Sequence, residues 1–276
     1  MKSIFPKVEA ATRHPADSKA PPMSPEIYAL LDSVPDTYWR YIARHELFSS
    51  LWQLHRQQRD NYRVLDVGCG SGGLLAYLDK HNTITPMGVD LFPGTLPYCL
   101  LRGINGVSVA DATKLPFQAD AFDLVIAQDV VEHIEEDTAA LAEIYRVCMP
   151  GGLALILVPA FKFLWSARDV DLHHYRRYTL GQLTQRMQAA GFNVVHRTYT
   201  DLFLLPLLYA AIAIAPRTSD GLADLDTANP PGKSGPMNPA LLAISRLEAA
   251  YARLATLPFG VSAVVLARKL ANSGAL

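Results

Sequence analysis

The chain has 276 residues, half of them hydrophobic and 18% charged, which is enough apolar material for a full core and excludes disorder of the whole chain. Lys and Arg number 25 against 26 Asp and Glu, a net charge of -1, so charge gives no case for nucleic acid as a partner. The three cysteines, Cys69, Cys99 and Cys148, have neither disulfide-framework nor metal-type spacing, and the first residues lack a leader's apolar run, so a reducing, cytoplasmic setting is expected.

Residues 1–25, rich in Pro, Ala, Ser and charge, read as a flexible tail. Over 26–60 the apolar residues Trp39, Ile42, Phe48, Leu51 and Trp52 recur at helical spacing, which predicts an N-terminal helical cap. A core follows over 61–200. Its first strand is Arg63 to Val67, ending in a glycine-rich loop, with the helix LLAYLDKH behind it. Further strands are expected at Ile84 to Val89, Gly106 to Ala110, Phe122 to Gln128, Leu153 to Pro159 and FNVVHRTYT. A helix from Asp137 to Cys148 stops at the turn Pro150-Gly151-Gly152. A capping box at Thr179 to Gln182 opens another helix that ends near Gly191. Strands alternating with helices predict an α/β fold with a parallel, doubly wound sheet. Residues 201–260 interrupt the scheme as an apolar, mostly helical insertion with a Pro/Gly-rich loop. VSAVVLARK, within 261–270, reads as a closing strand.

The chemistry concentrates in VLDVGCGSGG, residues 64–73. A strand ends at Asp66, and Gly68, Gly70, Gly72 and Gly73 let the backbone turn sharply and approach a ligand. This is not the G-x-G-x-x-G of dinucleotide enzymes. A carboxylate two residues before the first glycine would repel a pyrophosphate and suit an ammonium. Asp90, 22 residues past Gly68, stands where an acid takes both ribose hydroxyls. Asp111, at the end of the third strand, could accept the exocyclic amine of adenine. Three carboxylates around one cleft favour a cationic cofactor, S-adenosylmethionine, over NAD. A role for these acids in caps and turns is the competing reading.

In this order, VLDVGCGSGG, GVDLF, DATKLPF, FDLVIAQDVVEHI, the PGG turn and LILVP resemble the successive motifs of class I S-adenosylmethionine-dependent methyltransferases. The resemblance implies a Rossmann-like seven-stranded sheet with its last strand antiparallel. It places Asp66, Gly68, Cys69 and Gly70 around the methionine part of the cofactor. Asp90 and Leu91 fall at its ribose and adenine, Asp111 and Ala112 at the adenine edge, and Gln128 and Asp129 beside the methyl group. YWRYIARHEL, FLWSARDVDLHHYRRYT and LPFGVSAVVLARK are similar to a bacterial subgroup with a His-x-Arg-Arg-Tyr element after strand five; that likeness names no acceptor. It makes Arg44 a candidate at the cofactor carboxylate.

Some family members hold a divalent metal through Glu-x-x-Glu-His. Here Asp129, Glu132 and His133 stand in those places, with His173 or His174 as a further ligand. The favoured reading is that no metal binds, Glu132 capping a helix and His133 lining the pocket. His173, His174, Tyr175, Arg176, Arg177 and Tyr178 form the densest polar-aromatic cluster in the chain. In one reading His133, His173 or His174 takes the acceptor's proton while Arg176, Arg177 and Tyr178 bind the acceptor. In the other the arginines pair with acids and Tyr178 staples the next helix. His45, His55, His81 and His196 read as structural or solvated.

The run LFLLPLLYAAIAIA, 202–215, is too short to span a bilayer and accounts for the mean hydropathy of +0.12. It is expected to wall the acceptor pocket or a subunit interface, or else to dock on a membrane or receive a lipid-like acceptor. The expected function is methyl transfer from S-adenosylmethionine to a small aromatic or lipid-like acceptor. The alternatives are a non-catalytic S-adenosylmethionine-binding subunit and, behind it, an NAD-type oxidoreductase.

Overall fold

The structure is a computed structural model, described for residues 38–166, 169–170, 172–206 and 238–271. The expected tail 1–25, most of the apolar run 202–215 and the Pro/Gly-rich loop lie outside these residues.

Seven strands form one sheet: β1 (Tyr62–Val67), β2 (Ile84–Asp90), β3 (Gly106–Val109), β4 (Phe122–Gln128), β5 (Cys148–Pro159), β6 (Asn193–Thr200) and β7 (Ser262–Arg268). Their order is β3-β2-β1-β4-β5-β7-β6. The first five run parallel, and β7 is antiparallel to both β5 and β6. The closing strand is therefore where its sequence put it. β4, β5 and β7 are apolar runs buried on both faces, as central strands covered by helices must be.

The helices are α1 (Trp39–His55), α2 (Gly73–His81), α3 (Leu96–Leu101), α4 (Asp137–Val147), α5 (Leu180–Ala189) and α6 (Asn238–Ala252). α1 packs along α6, and its Leu47, Phe48, Leu51 and Trp52 enter the same core as the sheet. Asn238 Oδ1 accepts from the Trp39 backbone N–H at 3.0 Å and joins the starts of these two helices. The capping box at α5 forms as expected: Thr179 accepts from the Gln182 backbone, and Gln182 accepts from the Thr179 backbone.

Two boundaries differ from expectation. β5 begins at Cys148, because the PGG segment, with Gly151 at φ of +80°, is tied to the residue after β7: Gly151 N–H donates to the Lys269 carbonyl at 2.7 Å. α3 carries no apolar periodicity in sequence; Pro93 and Pro97 sit in first turns, where a missing N–H is tolerated.

The strand order reverses between β1 and β4, so a crevice opens there at the carboxyl ends of the strands. Five non-glycine residues have positive φ among the described residues, and three follow strands at this end: Asp129 after β4, Phe161 after β5 and Asp201 after β6. Such conformations cost on the order of 1–3 kcal/mol each and collect at functional ends of folds.

Candidate functional site

The loop after β1 is built by glycine. Gly68 and Gly70 have φ of +75° and +52°. A Cβ on Gly68 would lie 2.3 Å from Val130 Cγ2, whereas one on Gly70 would meet nothing within 4 Å. The loop is thus pinned underneath and open above. Gly68 and Cys69 N–H both donate to the Val89 carbonyl, and Cys69 is buried beneath the turn.

Asp90 ends β2 and locks the loop. Its Oδ2 accepts from Gly70 N–H and its Oδ1 from Phe92 N–H, each at 2.9 Å. Burial pushes its carboxyl up, and those backbone bonds hold it partly down. Asp66 is buried below the loop. Burial first, and the charge of Asp90 second, push its carboxyl up to about 8. Leu91 beside Asp90 is 54% exposed, an apolar surface next to the acid.

Asp111 follows β3 at the surface. Its Oδ1 accepts from Thr113 N–H and Oγ1, both at 2.8 Å, so the turn reading describes what it does in this structure. Ala112 packs against the core. At the end of β4, Gln128 Oε1 is buried with no hydrogen-bond partner. Asp129 accepts from Arg44 Nη1 at 2.8 Å. Open space over Gly70, a buried acid and an orphaned amide oxygen fit a ligand with a cationic, polar end.

Arg44 crosses the cleft from α1. Its Nη2 donates to Ser262 Oγ at 2.8 Å and to Asp201 Oδ2 at 3.3 Å. Arg40 also pairs with Asp201, at 3.0 Å. Burial would raise the Asp201 carboxyl, but Arg40 and Arg44 outweigh it and hold it below the ordinary range. Glu248 on α6 accepts from the Asp201 backbone, and burial pushes it up to about 7. Arg40, Asp201 and Glu248 were not singled out from sequence, and no local pattern marks them.

The cluster after β5 divides in two. Arg176, Arg177 and Tyr178 turn inward and correct the acceptor-binding assignment. Arg176 pairs with Asp137 at 3.0 Å, and Tyr178, 2% exposed, donates from Oη to Asp137 at 2.7 Å. Arg177 pairs with buried Asp169 through Nε at 2.7 Å and Nη2 at 3.0 Å. Their charges and hydroxyl are held by buried acids, and Tyr178 packs in the core.

The histidines come together instead. The His133 and His174 rings lie 4.6 Å apart, edge to face. His174 Nδ1 is 2.8 Å from Asp169 Oδ1. Burial would raise the Asp169 carboxyl, but His174 and Arg177 hold it well below the ordinary range. Crowding by protein atoms, then His174, lowers His133, although its outer edge is exposed. His173 is exposed with φ of +56°. Glu132 caps no helix through its side chain: it is fully buried, and both its oxygens lack a partner. Asp129, the expected companion of Glu132 and His133, is on Arg44; His174 takes its place.

Comparison with known proteins agrees with this geometry. Residues 65–156 match the methyltransferase domain family. That segment covers the glycine loop through β5. Phosphoethanolamine N-methyltransferase 3 of Arabidopsis thaliana is 29% identical over 177 residues, covering 59% of this chain and 35% of that protein. A probable S-adenosylmethionine-dependent methyltransferase of Mycolicibacterium smegmatis is 28% identical, covering 58% of this chain and 61% of its own. The chain spans about a third of the length of the plant relatives it matches. In fold it resembles phosphoethanolamine N-methyltransferase 2 of Haemonchus contortus in complex with S-adenosylmethionine, at TM-score 0.54, 20% identity, and 82% and 52% coverage of the two chains. It also resembles the [4+2]-cyclase SpnF, at TM-score 0.56, 20% identity, and 89% and 94% coverage. One fold therefore serves more than one named chemistry. No helix among the described residues is long and apolar enough to cross a membrane.

Proposed function

We propose that this protein transfers a methyl group from S-adenosylmethionine to a small aromatic or lipid-like acceptor. The observation that carries the reading is the glycine loop locked by Asp90 over buried Asp66, with open space above Gly70. When bound, S-adenosylmethionine supplies an activated methyl group together with its own leaving group.

The chain's residues then bind and orient. Asp66 is the acid for the ammonium, and the loop backbone from Gly68 to Gly70 lies along the methionine part. Each Asp90 oxygen spends one lone pair on the backbone and keeps another for a ribose hydroxyl. Leu91 offers its exposed face to adenine, and Asp111 and Ala112 its edge. Gln128 and Asp129 stand at the methyl end.

The acceptor side is aromatic. Phe161 stacks on Phe163 and Tyr199 with centroids 5.1 and 4.8 Å apart, and Phe259 lies beside it. These residues stand at the carboxyl end of β5 and β6 and the start of β7, and Phe163 and Phe259 are more than half exposed. An apolar or aromatic acceptor suits that surface better than a polyanion does. An imidazole among His133, His173 and His174 takes the acceptor's proton. Holding two reactants in line contributes about 7–11 kcal/mol, and a general base about 3–5 kcal/mol, so orientation dominates.

The test uses purified protein, methyl-labelled S-adenosylmethionine and an extract of the source cells, with products split into organic, aqueous, protein and nucleic-acid fractions. Label in the organic fraction is expected. Label in nucleic acid or protein would overturn the acceptor class. Binding of S-adenosylhomocysteine with no transfer to any fraction would favour a non-catalytic subunit. Preference for NADH would sink the cofactor assignment.

A further inference from the structure

We propose that Glu132, His133 and His174 form a binding site for a divalent transition-metal ion at the mouth of the cleft. One ligand atom from each lies within 4.8 Å of the others. Glu132 sits in the short turn after β4, and His174 belongs to the segment after β5. A backbone bond from Tyr175 N–H to the Glu132 carbonyl, 2.8 Å, ties the two segments together beside the three side chains.

Three further observations point to a cation. Glu132 is fully buried, yet both its carboxylate oxygens lack a hydrogen-bond partner. A carboxylate is not left so without a large cost, and a metal is one of the few partners that repays it. Next, both imidazoles are already oriented from behind. His174 turns Nδ1 to Asp169, itself 1% exposed, and His133 bonds the Leu172 backbone. Each ring keeps its other nitrogen free, the arrangement in which metal-binding histidines are held. Finally, the nearby guanidinium charges are neutralised: Arg44 by Asp129 and Asp201, Arg177 by Asp169.

The donor set selects the ion. Two imidazoles and one carboxylate suit Zn²⁺, Co²⁺ or Fe²⁺, whereas Mg²⁺ wants oxygen ligands in a strict octahedron. Metal–ligand distances of about 2.0–2.2 Å bring donor atoms to about 3–3.5 Å from one another, so the three side chains need close by at most about 1.3–1.8 Å. The ion would keep open positions towards the cleft. There it would hold an acceptor oxygen or nitrogen and favour its deprotonated form. His133 and His174 then act through the ion, and exposed His173 is left to take the proton. Only this last role rests on the methyl-transfer reading; occupancy of the site does not.

The test is Co²⁺ titration of the chelator-treated full chain, followed by visible absorption and calorimetry, with Zn²⁺ competition. The expected result is one Co²⁺ per chain, with ligand-field bands and no thiolate charge-transfer band. The bands should vanish in His133→Ala and His174→Ala and persist in His81→Ala, which removes an exposed imidazole elsewhere. Glu132→Gln, nearly isosteric, keeps the question open to a negative answer if a histidine variant does not fold. Absence of saturable binding in the unsubstituted protein would overturn the site. So would binding that survives His174→Ala, or that disappears in His81→Ala.

Discussion

Around β1 and β2 the acids Asp66 and Asp90 have no cation paired with them among the described residues. Asp66 is buried beside the charge of Asp90, and each Asp90 oxygen accepts from a backbone N–H. Around β5, β6 and α1 the acids are heavily paired. Asp137 holds Arg176, Arg186 and the Tyr178 hydroxyl; Asp169 holds His174 and Arg177; Asp201 holds Arg40 and Arg44. An acid left without a cation is poised for a cationic ligand, whereas a paired acid fixes the frame around it. The cleft therefore has a receptive wall on the cofactor side and a rigid wall on the acceptor side.

Breaking the rigid wall should have the largest effect. Arg44 is 6% exposed and joins α1 to Asp129, Asp201 and Ser262. Arg44→Ala removes a buried guanidinium with three side-chain partners, leaving buried Asp201 with Arg40 alone and partly exposed Asp129 without its cation, for a loss of about 3–5 kcal/mol. Urea unfolding should show a lower midpoint at unchanged slope. Arg44→Lys should recover less than half of the loss, since one ammonium cannot reach both acids as a guanidinium fork does. Unfolding within about 1 kcal/mol of the unsubstituted protein would mean that the wall is not rigid in the sense argued.

The two walls also differ in how far sequence reveals them. The glycine loop and Asp90 act within one β1–α2–β2 unit, and the capping box spans the four residues from Thr179 to Gln182. Local chemistry of this kind is written in local pattern. Arg44 meets its partners across 85, 157 and 218 residues, a distance no spacing rule covers. Asp169 lay inside a segment already marked by its histidines, yet nothing in the chain order says that it would take both His174 and Arg177. For the same reason Arg176 and Tyr178 read as acceptor ligands until Asp137, about 40 residues earlier, is brought against them. The central strands were legible because β4, β5 and β7 are bounded apolar runs; α3 was not, because its prolines mask a helix that needs only its first turns.

On the receptive wall two glycines should part company. Gly68→Ala drives a methyl into Val130 at a positive φ, for a loss of about 2–4 kcal/mol from strain and overpacking together. Gly70→Ala meets no atom and should cost only about 1–2 kcal/mol of backbone strain. Its effect belongs in binding: the methyl enters the space assigned to the cofactor, so S-adenosylhomocysteine affinity should fall more than tenfold. Gly68→Ala that unfolds no more easily than Gly70→Ala would show that Val130 yields, and the floor of the loop would be softer than its geometry implies.

The walls should carry opposite pH signatures. Asp66 has its carboxyl raised to about 8 from 3.8, so between those values the folded state holds a proton that the unfolded chain has released. Its contribution to stability therefore declines as pH rises from about 4 to 8, by at most about 1.4 kcal/mol per pH unit. Asp201 is depressed, so its contribution is present above the ordinary carboxylate range and lost as pH falls through its lowered value. Urea midpoints measured from pH 2 to pH 8 should show Asp66→Asn removing the decline between about pH 4 and pH 8, and Asp201→Asn removing part of the loss below about pH 4. Affinity for S-adenosylhomocysteine should rise with pH to about 8 in the unsubstituted protein and lose that dependence in Asp66→Asn, because the ammonium binds the carboxylate and not the acid.

The smallest effect decides the most ambiguous residue. Asp111 is exposed and accepts both the N–H and the hydroxyl of Thr113, so its loss should cost the free protein only about 0.5–1.5 kcal/mol. If it serves only the turn, Thr113→Ala should weaken S-adenosylhomocysteine binding as much as Asp111→Ala does, since both act by loosening the same loop. If its second oxygen, which accepts nothing from Thr113, takes the adenine amine, Asp111→Ala should weaken binding by about tenfold. Thr113→Ala, which keeps the carboxylate and the backbone bond, should then leave binding within about twofold. The contrast also extends the receptive wall by one strand. Asp90 and Asp111 would then share one property, an acid whose fixed partners are backbone or hydroxyl groups and whose remaining lone pairs face the ligand.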